Sequence, residues 1–412
     1  MVPSSTILLV AVLFSAAGAA VRYDGYKVVR IQPTSQGQLD YIRGFIKSEQ
    51  LDEWKMAVGQ PGMISIPPKS FEYIVKMLNN RGIKFVVTID DLQKSLEEQR
   101  NTPPGIHRSA LSLSQYHSYK EIVSYMESAV MNNLDLPISR FSIGKTVEGR
   151  TIEGIKFGKD TAAKAVWIDG GIHAREWISP ATLLYTINKV ITLYRQKDPF
   201  ITALLSNVQV YFVPVLNPDG YVYTWTTDRM WRKNRRRGRY CTGVDLNRNW
   251  KYHWMEQGAS SYECSETYAG PSAMSEPETQ AVANFIETNK QRIRMYLSFH
   301  SFGQYFLTPW GYGRVLPDDY KQLESLAKNA VGAIRAANGP RYTVGTSAFA
   351  LYPAAGGSDD WAKGVAGIKY SYTIELPDNG RYGFALPARF IEPTGRHTWH
   401  AFVVLLRHVL DN

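Results

Sequence analysis

Short apolar runs alternate with longer amphipathic segments from about residue 109 to the end of the chain. The run over residues 208–216 is almost continuously apolar, which is typical of a strand buried on both faces. Three further runs have the length and residue types of strands, at 165–168, 295–300 and 370–375. Helices are predicted over residues 119–131, 180–193, 276–287, 320–337 and 394–409. This alternation predicts an α/β fold, in which helices cover both sides of a sheet.

Residues 21–100 show a different and shorter pattern. Strands are predicted over residues 26–31, 63–66 and 84–89, and helices over residues 38–47 and 71–79. The order approximates a βαββαβ arrangement of the ferredoxin-like α+β kind. A polar helix follows over residues 90–100, with Asp90 as its N-cap. The sequence therefore predicts a separate small domain, which carries none of the candidate chemistry described below.

Two segments flank this small domain. Residues 1–20 have an apolar core at 7–14 followed by small residues, as a secretory signal does, although no Lys or Arg precedes the core. Residues 101–108 contain Pro103, Pro104 and Gly105, which predicts an exposed connection, and exposed connections are preferred sites of proteolysis. Arg100 and Arg108 are targets for a trypsin-like protease, whose cut would release residues 109–412.

Candidate chemistry follows the predicted strand at 165–168. His173 and Glu176 come directly after this strand and two glycines, and both are ligands that zinc accepts. A pair with this spacing is more often a surface turn, so a third ligand and a base are needed. His300 and Glu375 each end another predicted strand, at the edge where α/β sheets form their sites. Glu375 is costly to bury without a purpose, although a partly exposed strand end would explain it as well.

Four motifs then occur in order at compatible spacing. They are His-Ala-Arg-Glu-Trp at 173–177, Gly-Val-Asp-Leu-Asn-Arg-Asn-Trp at 243–250, Ser-Phe-His-Ser at 298–301 and Glu-Leu-Pro-Asp-Asn-Gly-Arg-Tyr-Gly-Phe at 375–384. From about residue 110 onward the chain resembles the zinc metallocarboxypeptidases of the pancreatic A/B type. The resemblance implies a catalytic domain over 109–412 with a mixed sheet flanked by helices. It also implies one Zn²⁺ on His173, Glu176 and His300, and a pro-domain over 21–100 that covers the active site and assists folding.

The resemblance also implies roles in catalysis. Glu375 would take a proton from the attacking water and return it to the leaving amine. Arg232 would stabilise the oxyanion that develops on the scissile carbonyl. Asp245 would orient a metal-bound histidine.

Substrate-binding residues follow from the same resemblance. Asn247 and Arg248 match the pair that binds the terminal carboxylate, a task that suits the planar fork of arginine. Tyr352 matches a mobile tyrosine that closes over the terminal residue, and Arg175 matches a contact at a secondary subsite. Peptide and protein C-termini are therefore the predicted substrates.

Residues 352–361, Tyr-Pro-Ala-Ala-Gly-Gly-Ser-Asp-Asp-Trp, resemble the B-type members in particular. Asp359 falls where those enzymes carry an acidic residue at the pocket base and A-type enzymes carry an apolar one. A carboxylate there would pair with a terminal Lys or Arg. Alternatively, Asp359 caps a short helix that begins at Asp360 and faces solvent. Gly311 and Ser347 match pocket positions in a combination that is of neither pure type.

The sequence therefore predicts the secreted zymogen of a B-type enzyme that removes C-terminal Lys or Arg. An A-type enzyme that releases apolar or aromatic residues is the alternative. A peptide-binding protein that kept the fold and lost catalysis represents a different class.

Charge and cysteine content complete the picture. The 412 residues carry 47 Lys plus Arg against 37 Asp plus Glu, a net charge of +10. The run at 232–239 is strongly basic, which predicts a solvated loop or, as the less favoured alternative, a surface for polyanions. We do not expect nucleic acid as a partner for a secreted chain with this site. No stretch after the signal is long enough for a membrane span. We expect the protein to be a monomer. Cys241 and Cys264 favour a disulfide over a metal site, and the resembling family has one at this place.

Overall fold

The structure, a computed structural model, describes residues 20–100 and 111–412. The predicted linker at 101–108 and the predicted signal, apart from its last residue, lie outside the described residues. The described chain forms a small N-terminal region and a large C-terminal region, each built on its own sheet and its own apolar core.

The N-terminal region is a four-stranded antiparallel sheet with two helices on one face. Its elements are β1 (Lys27–Ile31), α1 (Gln36–Ser48), β2 (Asp52–Ala57), β3 (Gln60–Ile66), α2 (Pro68–Asn80), β4 (Phe85–Ile89) and α3 (Leu92–Arg100). The strand order β2-β3-β1-β4 confirms the predicted α+β arrangement. Strand β2 was missing from the predicted elements because charged residues occupy three of its first four positions and hide its alternation.

The two faces of this small sheet meet different neighbours, because successive strand side chains point to opposite faces. Val29 packs against α1 and α2, whereas Val28 packs with α3 and with Phe302 and Phe384 of the C-terminal region. Helix α3 therefore lies between the two regions.

The N-cap predicted for this last helix is wrong. Helix α3 begins at Leu92, and the Asp91 carboxylate accepts a hydrogen bond from the Lys94 amide at 3.1 Å. Asp90 instead forms an exposed ion pair with Lys27.

The C-terminal region contains an eight-stranded sheet in the order β11-β10-β12-β9-β7-β8-β6-β5. Its strands are β5 (Ile138–Lys145), β6 (Thr151–Phe157), β7 (Lys164–Gly170), β8 (Val208–Val213), β9 (Ile293–Ser301), β10 (Tyr305–Thr308), β11 (Thr343–Thr346) and β12 (Tyr370–Leu376). Its helices are α4 (Tyr119–Met131), α5 (Ile178–Arg195), α6 (Pro199–Asn207), α7 (Pro218–Thr226), α8 (Pro277–Asn289), α9 (Tyr320–Ala336), α10 (Ser347–Ala350), α11 (Ser358–Gly364) and α12 (Ile391–Asp411). The four central strands β12, β9, β7 and β8 are parallel and the outer pairs include antiparallel ones. The predicted mixed sheet flanked by helices is confirmed.

Side chains of the central strands alternate between a face that packs in the core and a face that carries the candidate site residues. Ile168 of β7, Phe299 of β9 and Ile374 of β12 belong to the large apolar core that α5, α9 and α12 cover. Their neighbours His300 and Glu375 point to the opposite face. The parallel strands end at the same edge, so polar side chains of this face converge there.

Two further expectations concern the molecule as a whole. Cys241 and Cys264 form the predicted disulfide, with their Cα atoms 5.1 Å apart. Within the described part of the chain, every helix is too short or too polar to span a bilayer.

Candidate active site

Three side chains from distant parts of the sequence meet at the carboxyl ends of β7 and β9. The Nδ1 atoms of His173 and His300 lie 3.2 Å apart. The Glu176 carboxylate oxygens lie 2.7 Å from His173 Nδ1 and 3.1 Å from His300 Nδ1. All three side chains are buried, and their potential ligand atoms lie within 4.8 Å of one another. The structure thus brings the three predicted ligands together.

The electrostatics of this cluster suit a cation. Burial alone raises the pKa of Glu176, but the two histidines outweigh it and hold this pKa well below its usual range. Burial alone lowers the pKa of His300, but the Glu176 carboxylate raises it to about 9. Two imidazoles and a carboxylate that leave one position open are also the ligand set of many catalytic zinc sites. The residues present therefore fit zinc.

Local backbone geometry lets the histidine and the glutamate reach this point. Gly171 has φ +63°, and a Cβ at this position would lie 3.2 Å from Pro180 Cγ. Glycine adopts this conformation without a steric penalty. The chain can therefore turn from the end of β7 into the segment that carries His173 and Glu176.

Asp245 contacts Nε2 of His173, the ring nitrogen that faces away from Glu176 and His300. His173 Nε2 lies 3.1 Å from Asp245 Oδ1, and Asp245 Oδ2 accepts a hydrogen bond from Arg232 Nη2 at 2.7 Å. Such contacts orient metal-binding histidines and fix their tautomer. The predicted contact of Asp245 is therefore present, and it also positions Arg232.

A cleft adjoins the three ligands. Six of the other predicted site residues line it: Arg232, Asn247, Arg248, Tyr352, Asp359 and Glu375. Arg175 is not among its lining residues and lies beside it, buried under the N-terminal region.

Glu375 is placed by strand register. The β12–β9 pairing sets Glu375 opposite His300. Glu375 Oε2 is buried and has no hydrogen-bond partner among the described residues, and burial raises the pKa of this carboxyl to about 7. A carboxylate with a pKa near neutrality suits reversible proton transfer.

Arg248 and Asn247 are fixed by backbone contacts at one wall of the cleft. Arg248 Nε donates to the Gly258 carbonyl and Nη1 to the Asn247 carbonyl, each at 2.8 Å. Asn247 Oδ1 accepts from the Ser358 amide at 2.9 Å. The guanidinium is thus held in one orientation at the cleft.

Asp359 is buried at the cleft, with 5 % of its surface exposed. Helix α11 begins at Ser358, with Gly357 at its N-cap and no side-chain cap. The alternative in which Asp359 caps this helix and faces solvent is therefore wrong. Asp359 Oδ2 has no hydrogen-bond partner within residues 20–100 and 111–412, and burial raises the pKa of this carboxyl.

Residues of the N-terminal region also reach the cleft, as the resemblance implied for a pro-domain, but no sequence signal had identified which residues they are. Trp54 and Lys55 of β2 line it. Asp52 accepts hydrogen bonds from Arg175 Nη1 at 3.0 and 3.1 Å. The signal that could have identified them is the cluster of charges in a segment that the βαββαβ order required to be a strand.

Family profiles identify the class of protein. Residues 122–401 match the profile of the zinc carboxypeptidases, and residues 29–99 match that of the carboxypeptidase activation peptide. The chain therefore belongs to the zinc carboxypeptidase family, is a zymogen, and uses zinc as its cofactor.

Individual relatives include both specificity types. The chain is 46 % identical to carboxypeptidase B of Astacus astacus, over 72 % of this chain and 98 % of that protein. It is 37 % identical to carboxypeptidase A2 of Mus musculus over 99 % of each. The crystal structure of thrombin activatable fibrinolysis inhibitor matches with a TM-score of 0.87 and 36 % identity, covering 95 % of this chain and 100 % of that one.

Proposed function

We propose that this protein is a secreted zymogen whose mature form removes Lys or Arg from peptide C-termini. The observation that supports this preference is the buried carboxylate of Asp359 at the cleft, whose Oδ2 has no hydrogen-bond partner among the described residues. A buried charge without a partner is strongly unfavourable. A terminal lysine ammonium or arginine guanidinium supplies the missing partner, whereas a phenylalanine or leucine side chain leaves the carboxylate unpaired.

The shape of the cleft supports the same preference. A Cβ at Gly357 would lie 3.0 Å from Asp359 Oδ1, so glycine keeps this carboxylate accessible from the cleft. At Gly311 a Cβ would lie 3.3 Å from the Ala354 carbonyl. Both glycines leave room for a long side chain to reach the carboxylate.

The other residues of the cleft bind and orient the peptide. Arg248, with Asn247 beside it, receives the terminal carboxylate through charge-assisted hydrogen bonds. Tyr352, which is half-buried at the cleft, closes over the terminal residue. Arg175 contacts a residue further from the C-terminus once Asp52 is removed.

Chemistry at the scissile bond follows from the remaining side chains. Bound zinc supplies a Lewis acid that polarises a carbonyl and acidifies water. Glu375 accepts a proton from the attacking water and passes it to the leaving amine nitrogen as the C–N bond breaks. Arg232, held by Asp245, donates hydrogen bonds to the oxygen that becomes negative.

The N-terminal region keeps this site inactive as the pro-domain, residues 21–100. Trp54 and Lys55 line the cleft, and Asp52 binds the guanidinium of Arg175. Gln99 anchors α3, because its Nε2 donates to the carbonyls of Phe384 and Leu386 at 3.0 Å each. A trypsin-like protease that cuts within residues 100–108 releases residues 109–412, the catalytic domain, as a monomer.

A paired rate assay on the trypsin-treated protein tests this function. One blocked dipeptide ends in Arg and the other in Phe, and each is measured with and without a zinc chelator. Chelator-sensitive release of Arg with little release of Phe is expected. Preferential release of Phe would instead establish the A-type alternative. Release of neither, with zinc bound and the pro-domain removed, would favour a non-catalytic peptide-binding protein.

A further inference from the structure

A buried aspartate lies behind the zinc ligands, and no step of the proposed chemistry uses it. Asp169 is the next-to-last residue of β7, and no part of its surface is exposed. The four residues before it in the strand, 165–168, are apolar, so burial of this carboxylate needs an explanation. Strand register sets it opposite Ser298 of β9, which is equally buried.

The contacts of Asp169 lead to His300. Ser298 Oγ donates a hydrogen bond to Asp169 Oδ1 at 2.7 Å. Ser298 Oγ also lies 3.3 Å from His300 Nε2. Asp169 Oδ2 accepts from Trp167 Nε1 at 2.7 Å. Both oxygens of the carboxylate are therefore engaged, and one of them orients the serine hydroxyl.

The direction of donation decides which nitrogen of His300 carries the proton. An aspartate carboxylate only accepts hydrogen bonds, so the Ser298 hydroxyl must donate to it. The serine oxygen can then only accept from His300, which places the ring proton on Nε2. In the neutral ring that binds a metal ion, the lone pair is then on Nδ1, the atom that faces Glu176 and His173.

We propose that Asp169 and Ser298 are positioning residues for zinc, which fix the tautomer and the ring orientation of His300 through this relay. The relay parallels the direct contact of Asp245 with His173. A carboxylate therefore orients each histidine ligand, directly at His173 and through Ser298 at His300. The inference rests on zinc binding to this cluster and is independent of the side-chain preference proposed above.

Asp169→Asn is the most informative variant because it changes hydrogen-bond polarity and almost no volume. The Asn oxygen must still accept from Trp167, so its amide group faces Ser298 and donates. The serine hydroxyl is then turned toward His300 Nε2, which favours the tautomer whose proton sits on Nδ1. Zinc must displace that proton.

The test measures zinc affinity of the full-length zymogen by competition with a chromophoric chelator. Asp169→Asn and Ser298→Ala should each weaken zinc binding about 10- to 100-fold. Ser298→Thr keeps the hydroxyl and should bind zinc near the wild-type value. The thermal midpoint of each zinc-free protein is recorded beside its affinity.

Ile168→Val is the matched control for damage to the fold. It removes a buried methyl group from the residue next to Asp169, on the opposite face of the sheet, and should lower stability without changing zinc affinity. Wild-type affinity in Asp169→Asn would overturn the proposal. Equal loss in Ser298→Thr and Ser298→Ala, or loss in the Ile168→Val control, would overturn it too.

Discussion

At the scale of single residues, the cleft contains two carboxylates that each have a buried oxygen and that have different roles in the proposed function. Glu375 and Asp359 each have one oxygen without a hydrogen-bond partner among the described residues. Burial raises the pKa of both. Glu375 lies beside His300 in the register of the sheet, where a proton acceptor is needed. In the proposed function, Asp359 pairs with the cationic side chain of the terminal Lys or Arg.

Asp359→Asn tests the specificity assignment. The variant should lose most of its activity on a C-terminal Arg, because a buried ion pair that loses one partner costs about 2–5 kcal/mol. Activity on a C-terminal Phe should rise or stay constant. The measurement is kcat/KM for both substrates on the activated enzyme.

A control for this variant is Asp319→Asn, which removes an equivalent charge from the ion pair with Lys363 outside the cleft lining. It should leave the ratio of the two rates unchanged. An unchanged ratio in Asp359→Asn would instead contradict the assignment.

Glu375→Gln tests the proposed base. Glutamine has nearly the same shape but cannot accept and return the proton, so kcat should fall by about 10²- to 10⁴-fold. Zinc content and binding of a peptide inhibitor should be retained, as measured by metal analysis and calorimetry. Unchanged turnover in a protein that still binds peptide would refute this role.

At the scale of elements, strand β2 explains how the N-terminal region acts on the cleft. Trp54 is 6 % exposed, and its ring lies 5.1 Å from that of Phe384 and 6.2 Å from that of Phe302. The Lys55 ammonium lies 3.1 Å from the Tyr305 hydroxyl. One short strand thus supplies an apolar anchor and a cation to the cleft.

Trp54→Ala should loosen this contact in the uncut zymogen. Truncation of a buried tryptophan removes about 3–5 kcal/mol of packing, so the cleft should open more often. Hydrolysis of a small blocked dipeptide by the uncut zymogen should therefore increase. The rate after trypsin treatment should match that of the wild type.

Tyr73→Ala provides the comparison for this experiment. Tyr73 lies on α2 with 48 % of its surface exposed, so its truncation should leave zymogen activity low. Equal rates for the Trp54 and Tyr73 variants would show that the anchor does not control access to the cleft.

At the scale of the whole molecule, the basic run is part of the fold. Arg235 lies over the ring of Tyr223 at 3.6 Å, and Arg236 pairs with the buried Glu276 at 3.2 Å. The solvated loop expected from sequence is therefore partly packed. Asn234 joins it to Glu276 and to Glu278, a second buried carboxylate.

Glu278 should make stability depend on pH. Burial raises its pKa from 4.5 to about 7. A carboxyl whose pKa is higher in the folded than in the unfolded protein stabilises the folded state at a pH below the unfolded-state pKa. This stabilisation is lost as the pH rises through the folded-state pKa. The free energy of unfolding should therefore fall between about pH 4.5 and 7, on the order of 3 kcal/mol at most from this group.

Urea unfolding of the wild type and of Glu278→Gln across this pH range measures the effect. The difference between the two proteins isolates Glu278, because every other titrating group is shared. A difference that stays constant with pH would exclude a titration of Glu278 in this window.

Much of the fold was predictable because its signals are local. Periodicity placed the helices and the central strands, and the apolar run at 208–216 corresponds to β8. Strand β2 was missed because charged residues hide its alternation, and their contacts with the C-terminal region, such as those of Asp52 and Lys55, cannot be read from the local pattern. Asp169 was missed because its contact with His300 runs through Ser298, its neighbour across the sheet.

The sequence by itself determined the class of chemistry. His173, Glu176 and His300 are residue types that zinc accepts, and the four motifs that contain them and Glu375 carried the resemblance to the zinc carboxypeptidases. Tertiary structure alone decided what surrounds them. Strand register set Asp169 opposite Ser298, which contacts His300, and packing left Asp359 Oδ2 without a hydrogen-bond partner in the part of the chain that the structure describes. Such contacts join residues far apart in sequence, and their energies depend on burial and geometry, which no local pattern contains.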